Sequence, residues 1–223
     1  MKIILDGTSS AGKSSIVKVF SNNYTKIALD DLENNKEHFN KKIKNRYYTE
    51  NEADEIFFDI MNKRLSERAK NKKNFIIDIV NPRGYPTIQK YLPKDTIKIL
   101  IYTDLQDLVR NMNSRRFTEA RGKYVFRQFS SYYIKTTNKD NAIDQIKLSD
   151  FIKALKNIKY EFESEKDLKS FAKDIFKSMN INDNKVNYIT SRYEGFDIII
   201  KTKNKKPKDL KDMILDSQKY LLS

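Results

Sequence analysis

Eight residues near the start of the chain, Gly7-Thr8-Ser9-Ser10-Ala11-Gly12-Lys13-Ser14, fit the phosphate-binding pattern G-x-x-x-x-G-K-[ST]. The glycines of this pattern let the backbone turn its N–H groups toward the phosphates of a nucleotide, and the start of the following helix adds partial positive charge. We expect Lys13 to contact the outermost phosphates and the Ser14 hydroxyl to bind Mg²⁺. The residues predicted to bind the nucleotide are Gly7, Ser9, Ser10, Ala11, Gly12, Lys13, Ser14 and Ser15. ATP and Mg²⁺ are the predicted cofactors.

The segments on either side of this motif are typical of a strand, a turn and a helix. An apolar run, Ile3-Ile4-Leu5, precedes it, and apolar residues recur at helical spacing from Ser15 to Phe20. A Gly/Ser-rich turn that matches by chance is the alternative interpretation. The agreement of strand, loop, Lys-Ser pair and helix favours a phosphate-binding loop.

Carboxylates that could serve phosphoryl transfer follow two predicted strands. Asp30 and Asp31 end the strand Lys26-Ile27-Ala28-Leu29, and Asp78 ends the run Phe75-Ile76-Ile77. One of the adjacent pair could accept the proton of an attacking hydroxyl, while the other caps the helix that starts at Leu32. We favour Asp30 as the base and Asp31 as the cap. Asp78 is predicted to act with Ser14 as a Mg²⁺ ligand or to orient its waters; an ordinary strand-end Asp is the alternative.

Arginines are concentrated after the fourth predicted strand. Four of the ten arginines fall between positions 115 and 127, namely Arg115, Arg116, Arg121 and Arg127. The planar guanidinium donates hydrogen bonds in pairs and keeps its charge, which suits phosphate. We interpret Arg115, Arg116 and Arg121 as catalytic residues of a kinase lid, with a solvated basic helix as the alternative.

The order of elements predicts an α/β fold. Strands at 3–5, 26–29, 74–78, 97–102 and 196–201 alternate with helical patterns, among them a long amphipathic stretch from Glu50 to Lys73. Asp104 is expected to cap the helix after the fourth strand, and Pro207 to open the last helix. Such alternation indicates right-handed crossovers, and hence a three-layer sandwich of the P-loop kinase type with a parallel five-stranded sheet.

We expect residues 1–223 to form one domain, with a helical insertion at 138–193. Two amphipathic patterns lie in that segment, one from Ile146 to Ile158 and one from Leu168 to Phe176. They predict two helices that pack against the sheet edge or over the substrate pocket.

Composition excludes several kinds of chemistry. The 223 residues contain no Cys and one His, which excludes disulfides, thiolate zinc sites and a Cys nucleophile and disfavours a His-based triad. No apolar run reaches the length that spans a bilayer, and we expect a cytoplasmic protein without a membrane partner. The net charge of +14 comes mostly from Lys and accompanies many Asn and Ile, so it fits an anionic substrate, a nucleic-acid end or solubility alone.

The motifs in this order resemble those of the chloramphenicol phosphotransferase-like kinases. Residues 3–17 resemble the P-loop region of that family, Leu29-Asp30-Asp31-Leu32 its catalytic Asp segment, and Ile76-Ile77-Asp78 its third-strand carboxylate. Thr118-Glu119-Ala120-Arg121-Gly122 looks like its lid, and residues 197–202 look like the strand and loop that border the adenine. The resemblance implies a kinase in which Asp30 is the catalytic Asp. The segment 138–193 has no counterpart there, and the acceptor stays open.

Three functions remain open at this point. The favoured one is an ATP- and Mg²⁺-dependent kinase that phosphorylates a hydroxyl of a small molecule. A kinase of a nucleoside, a nucleotide or a nucleic-acid end is the first alternative, because of the basic charge. A nucleotide-binding switch that acts on a partner through the insertion is the second; a strand-end Asp with an arginine-rich lid argues against it.

Overall fold

The computed structural model describes residues 1–28, 60, 63–79, 91–114, 117–132, 148–179 and 196–221. These ranges contain the five predicted strands, except Leu29 at the end of the second, and most of the predicted helices. Asp30, Asp31, Arg115, Arg116 and His38 lie outside them.

The centre of the molecule is a parallel sheet of five strands in the order β2-β3-β1-β4-β5. The strands are β1 (Lys2–Asp6), β2 (Thr25–Ala28), β3 (Phe75–Asp78), β4 (Ile97–Tyr102) and β5 (Ile198–Lys201). Their sequences are nearly continuous apolar runs because helices cover both faces of such a sheet. β1 is central, so the loop that follows it emerges between β3 and β4 at the carboxyl edge.

Helices lie on both faces of this sheet, as the sequence predicts. α1 (Lys13–Val19) and the last helix, Pro207–Leu221, share an apolar cluster with β1 and β4 that includes Ile16, Ile99 and Ile214. On the other face a helical segment at 63–69 buries Leu65 and Ala69 against β2 and β3. The result is a three-layer α/β sandwich. Within the described ranges, no helix combines the length and apolar character needed to cross a bilayer.

Four further helices form a separate apolar cluster. They are α2 (Leu105–Asn113), α3 (Glu119–Tyr132), α4 (Leu148–Leu155) and α5 (Glu165–Met179); the last helix, Pro207–Leu221, is therefore α6. Phe126 of α3 packs edge to face on Phe151 of α4 at 5.0 Å between ring centroids. The two helices expected within 138–193 are thus present as α4 and α5, and the cluster they enter is shared with α2 and α3. The ends of the proposed insertion lie outside the described residues, so its extent stays a prediction.

Local capping explains where the observed elements differ from the predicted ones. The helix expected to run to Lys73 ends at 69, and Asn71 takes a left-handed φ of 63°, a conformation that Asn tolerates better than most residues. The last strand begins at Ile198 rather than Phe196, since the Asp197 carboxylate accepts a hydrogen bond from the Lys98 N–H at 2.8 Å. Asp104 caps α2 as expected, accepting from the Asp107 N–H at 2.8 Å.

Candidate nucleotide-binding site

The loop between β1 and α1 needs glycine at both of its glycine positions. Gly7 has a φ of 146°, and a Cβ there would lie 2.4 Å from the Ile101 carbonyl oxygen of β4. Gly12 has a φ of 88° and precedes the first residue of α1, with open space where a Cβ would lie. Close approach of two backbones therefore requires glycine at position 7, whereas backbone conformation alone requires it at position 12.

Lys13 lies in the first turn of α1 and is almost completely buried, with 5% of its surface exposed. Its ammonium donates to the Gly7 carbonyl at 2.9 Å and to the Thr8 carbonyl at 3.1 Å. Its Nζ is also 3.8 Å from Asp78 Oδ1. A positive charge is thus held against the start of the loop, where the sequence predicts that phosphates bind.

Ser14 and Asp78 bring two oxygens together beside this charge. Ser14 Oγ donates to Asp78 Oδ2 at 2.7 Å, although the residues are 64 positions apart. β3 pairs with β1 so that Asp78 lies opposite Leu5, which places the carboxylate at the edge from which the loop emerges. Hydroxyl and carboxylate oxygens are ligands of the kind Mg²⁺ prefers, and in kinases one or two of them act together with phosphate oxygens and water. These two residues therefore fit the predicted metal site.

The other residues predicted to bind the nucleotide form the rest of the loop and the first turn of α1. The N–H of Ala11 donates to the Thr8 carbonyl at 3.0 Å, and the N–H of Ser15 donates to the Gly12 carbonyl at 3.0 Å. Ser10 adopts a left-handed φ of 69°. The structure thus brings Gly7, Ser9, Ser10, Gly12, Lys13 and Ser14 into one compact turn.

Two residues that the sequence did not single out hold this loop. Asp6 is fully buried, and its Oδ1 accepts from the Gly7 N–H at 2.7 Å. Asn111 of α2 donates from Nδ2 to the Ser10 carbonyl at 2.8 Å across 101 positions. A carboxylate directly before a glycine turn is a detectable local signal for Asp6. Nothing in the sequence connects Asn111 to Ser10, because their contact exists only in the folded chain.

Of the predicted lid arginines, the structure describes Arg121. It lies in the first turn of α3 and is half-buried, and its N–H donates to the Thr118 hydroxyl at 3.2 Å, which caps the helix. Arg115 and Arg116 fall outside the described residues, as do Asp30 and Asp31. The meeting of these side chains with the loop stays a prediction.

Aromatic side chains fix the first turn of α3. They come from α5, from the segment before α5 and from the segment before α3. A Cβ on Gly122 would lie 2.6 Å from the Phe117 ring and 3.2 Å from the Phe171 ring. The Phe117 ring also contacts the Tyr160 ring edge to face, at 5.2 Å between centroids. Desolvation and the neighbouring Glu119 carboxylate raise the pKa of Tyr160, whose hydroxyl donates to that carboxylate at 3.3 Å. The helix that carries Arg121 is thus attached to the α4–α5 region.

The strand order, the loop after the central strand and the acidic residue at the end of the neighbouring strand define the fold of a P-loop kinase. The structure is similar to that of shikimate kinase from Bacteroides thetaiotaomicron, with a TM-score of 0.50, 12% sequence identity and 98% of each chain covered. It is also similar to shikimate kinase from Acinetobacter baumannii in complex with shikimate, with a TM-score of 0.47 and 14% identity over 96% of this chain and 90% of the other. No protein-family model and no curated protein matches the chain.

The likeness to the Bacteroides enzyme, together with the parallel five-stranded sheet, confirms the predicted three-layer P-loop kinase fold. At 12% identity the likeness to the Bacteroides enzyme shows the fold alone. No family model matches the chain, so membership of the chloramphenicol phosphotransferase-like subfamily stays a proposal.

Proposed function

We propose that this protein is an ATP- and Mg²⁺-dependent kinase that transfers the γ-phosphate to a hydroxyl of a small molecule. The observation that carries the proposal is the meeting of three side chains at the loop. Asp78 lies 3.8 Å from the Lys13 ammonium through one oxygen and accepts from the Ser14 hydroxyl at 2.7 Å through the other. A fixed cation next to a pair of metal-binding oxygens is what phosphoryl transfer requires of the protein.

Each residue of this group has a defined task in the proposed reaction. The backbone of residues 7–14 would bind the triphosphate, and Lys13 would place positive charge beside the transferred group. Ser14 and Asp78 would hold Mg²⁺, which supplies further neutralisation of the phosphate charge. Transfer forms a bond between the acceptor oxygen and phosphorus and breaks the bond between the γ-phosphorus and the bridging oxygen, which leaves with ADP.

Asp30 is proposed as the base that takes the acceptor's proton, and Asp31 as the cap of the following helix. The reverse assignment is the alternative. The strand pairing supports this position, because Ala28, the last residue of β2, lies opposite Asp78. Asp30 follows Ala28 by two positions in the sequence. We propose Arg121, Arg115 and Arg116 as the lid arginines. The resemblance to chloramphenicol phosphotransferase-like kinases supports a hydroxyl acceptor and gives no reason to name chloramphenicol.

The test uses γ-labelled ATP with Mg²⁺ and pools of alcohols, nucleosides and oligonucleotides. We expect label in one small-molecule pool, and we expect Asp30→Asn to abolish that transfer while the Kd for ATP stays nearly unchanged. Full turnover by Asp30→Asn would remove Asp30 as the base. Nucleotide binding without labelled product in any pool would contradict a kinase and favour a switch.

A second candidate acceptor is a nucleic-acid end, a nucleoside or a nucleotide. Five lysines, Lys201, Lys203, Lys205, Lys206 and Lys208, are exposed around the β5–α6 connection. This connection leaves the sheet at the same edge as the phosphate-binding loop, since all five strands are parallel. The nearby Asp209 carboxylate accepts from the Lys206 N–H at 3.0 Å as a cap of α6.

Salt dependence separates the two acceptors. Contacts with several phosphates make affinity fall steeply as salt rises. Retention of a labelled oligonucleotide that falls steeply between low and moderate salt would support a nucleic-acid end as the acceptor, and no retention at low salt would exclude that acceptor. Replacement of Lys203 and Lys205 by Gln, with Lys70 and Lys72 as exposed control positions, would locate the surface.

A further inference from the structure

Asn111 lies far from the loop in sequence but contacts it directly in the fold. Its side-chain Nδ2 donates to the Ser10 carbonyl oxygen at 2.8 Å. The neighbours of Asn111 along α2, Leu108 and Met112, are fully buried, and Asp104 caps the helix. The amide group is therefore presented to the loop by a helix that is itself fixed in the core.

Ser10 is the residue of the loop that most needs such support. It is the one non-glycine residue of the loop with a left-handed φ, at 69°, a conformation that a side chain makes unfavourable. With 7% of its surface exposed, Ser10 has little access to water that could replace a lost hydrogen bond. In an anion-binding turn the N–H groups face the anion while carbonyl groups face away, and Asn111 takes one such carbonyl.

We infer that Asn111 is a positioning residue that holds the Ser10 peptide in the conformation that binds phosphate. A loop that is already ordered binds its ligand more tightly, because less conformational entropy is lost on binding. Asn111 contacts the loop at the Ser10 carbonyl, so it acts on affinity through Ser10. The inference rests on the proposed nucleotide-binding function and extends it to a residue outside the P-loop motif.

The chain offers a matched control two residues away. Asn113, in the same helix, donates from Nδ2 to the Asn157 carbonyl at 2.7 Å, and its Oδ1 accepts from the Lys159 N–H at 2.8 Å. These bonds hold α2 to the segment after α4 and do not involve the loop. Asn113→Ala therefore removes at least as many hydrogen bonds as Asn111→Ala does, and it leaves the bond to the Ser10 carbonyl in place.

The experiment measures the Kd for MgADP by titration calorimetry and the Tm of the full chain, with Asn111→Ala, Asn111→Asp and Asn113→Ala. We expect Asn111→Ala to raise the Kd about five- to tenfold, which corresponds to the loss of one hydrogen bond. Asn111→Asp should raise it at least as much, because a carboxylate cannot donate to the carbonyl. Asn113→Ala should lower the Tm by at least as much as Asn111→Ala does and leave the Kd within about twofold.

A Kd for Asn111→Ala within about twofold of the unsubstituted protein would overturn the inference. So would an equal rise in Kd for Asn113→Ala, since a general loss of stability would then explain both. Either result leaves the proposed function intact if the unsubstituted protein binds MgADP and transfers phosphate. Failure of the unsubstituted protein to bind MgADP would overturn both.

Discussion

The Ser14 hydroxyl donates a hydrogen bond of 2.7 Å to the Asp78 carboxylate, and this bond joins the phosphate-binding loop to the neighbouring strand. Ser14 is in the first turn of α1, and Asp78 is the last residue of β3. The parallel pairing of β3 with β1 produces this contact, because it brings the carboxyl ends of both strands to one edge. The proposed Mg²⁺ site is thus a direct consequence of strand order.

Asp78→Asn should weaken the contribution of Mg²⁺ to nucleotide binding. The substitution removes the negative charge but keeps an oxygen that can accept the Ser14 hydrogen bond, so we expect the fold to persist. Calorimetry should compare the Kd for ADP with Mg²⁺ and with EDTA. We expect the Kd with EDTA divided by the Kd with Mg²⁺ to be roughly tenfold smaller in the variant than in the unsubstituted protein. A change of this size is typical when a residue that binds or orients a metal is altered.

Asp95→Asn is the control for this prediction. Asp95 is an exposed carboxylate whose pKa is lowered by its hydrogen bond to Lys2, at 2.9 Å, near the start of β1 and thus away from the carboxyl edge. The Asp95→Asn variant should leave the effect of Mg²⁺ on the Kd for ADP unchanged. An equal loss in both variants, or no loss in Asp78→Asn, would remove Asp78 from the metal site.

Lys13→Met should weaken nucleotide binding by roughly 10- to 100-fold, because it removes the charged hydrogen bonds expected between Lys13 and phosphate. Met keeps most of the apolar stem of this buried side chain but leaves the Gly7 and Thr8 carbonyls without the ammonium donor, so we expect a moderate fall in the Tm without nucleotide. Lys18→Met, at an exposed position in the same helix, is the control. Fluorescence titration with an ATP analogue measures both, and unchanged affinity in Lys13→Met would rule out the proposed phosphate site.

Local patterns in the sequence predicted the elements that carry the loop. The strand expected at 97–102 is β4 with the same bounds, because an apolar run between turn signals identifies a buried strand without help from the rest of the chain. Asp104 and Pro207 likewise mark the start of a helix through bonds or dihedral angles of their own segment. The motif at 7–14 combines an apolar run before it, which identifies a strand, with local residues that mark the start of a helix.

Contacts between distant segments could not be predicted in the same way. The bond from Asn111 to Ser10 depends on how α2 is oriented on the sheet, which no spacing pattern reports. The apolar stripes of α4 and α5 indicated two helices but not their partners, since a stripe shows that a face is buried and not what buries it. The roles of Asp30, Asp31, Arg115 and Arg116 stay predictions because these residues lie outside the described structure.

Gly7→Ala should destabilise the protein strongly. A Cβ at position 7 would lie 2.4 Å from the Ile101 carbonyl oxygen, which belongs to the backbone of a central strand and cannot easily move. Together with the positive φ of 146°, this overlap should cost about 3 kcal/mol or more of unfolding free energy. Urea denaturation measures this loss.

Gly12→Ala is the natural comparison for that substitution. Gly12 has a φ of 88° but nothing within 4 Å of an added Cβ, so only the conformational cost of about 1–2 kcal/mol should remain. A loss at Gly12 as large as that at Gly7 would contradict the close approach of Gly7 to the Ile101 carbonyl of β4.

Gly122→Ala should loosen the packing of α3 on α5. The added Cβ would lie 2.6 Å from the Phe117 ring and 3.2 Å from the Phe171 ring, and such overpacking costs about 1–3 kcal/mol of unfolding free energy. The nearest atom belongs to the Phe117 side chain, so a smaller residue at position 117 should relieve the overlap. We therefore expect the double variant Gly122→Ala with Phe117→Leu to lose less unfolding free energy than the sum of the losses in the two single variants. Urea denaturation of the single and double variants measures this coupling. Strict additivity would contradict the packing of the Phe117 ring on Gly122 in the first turn of α3.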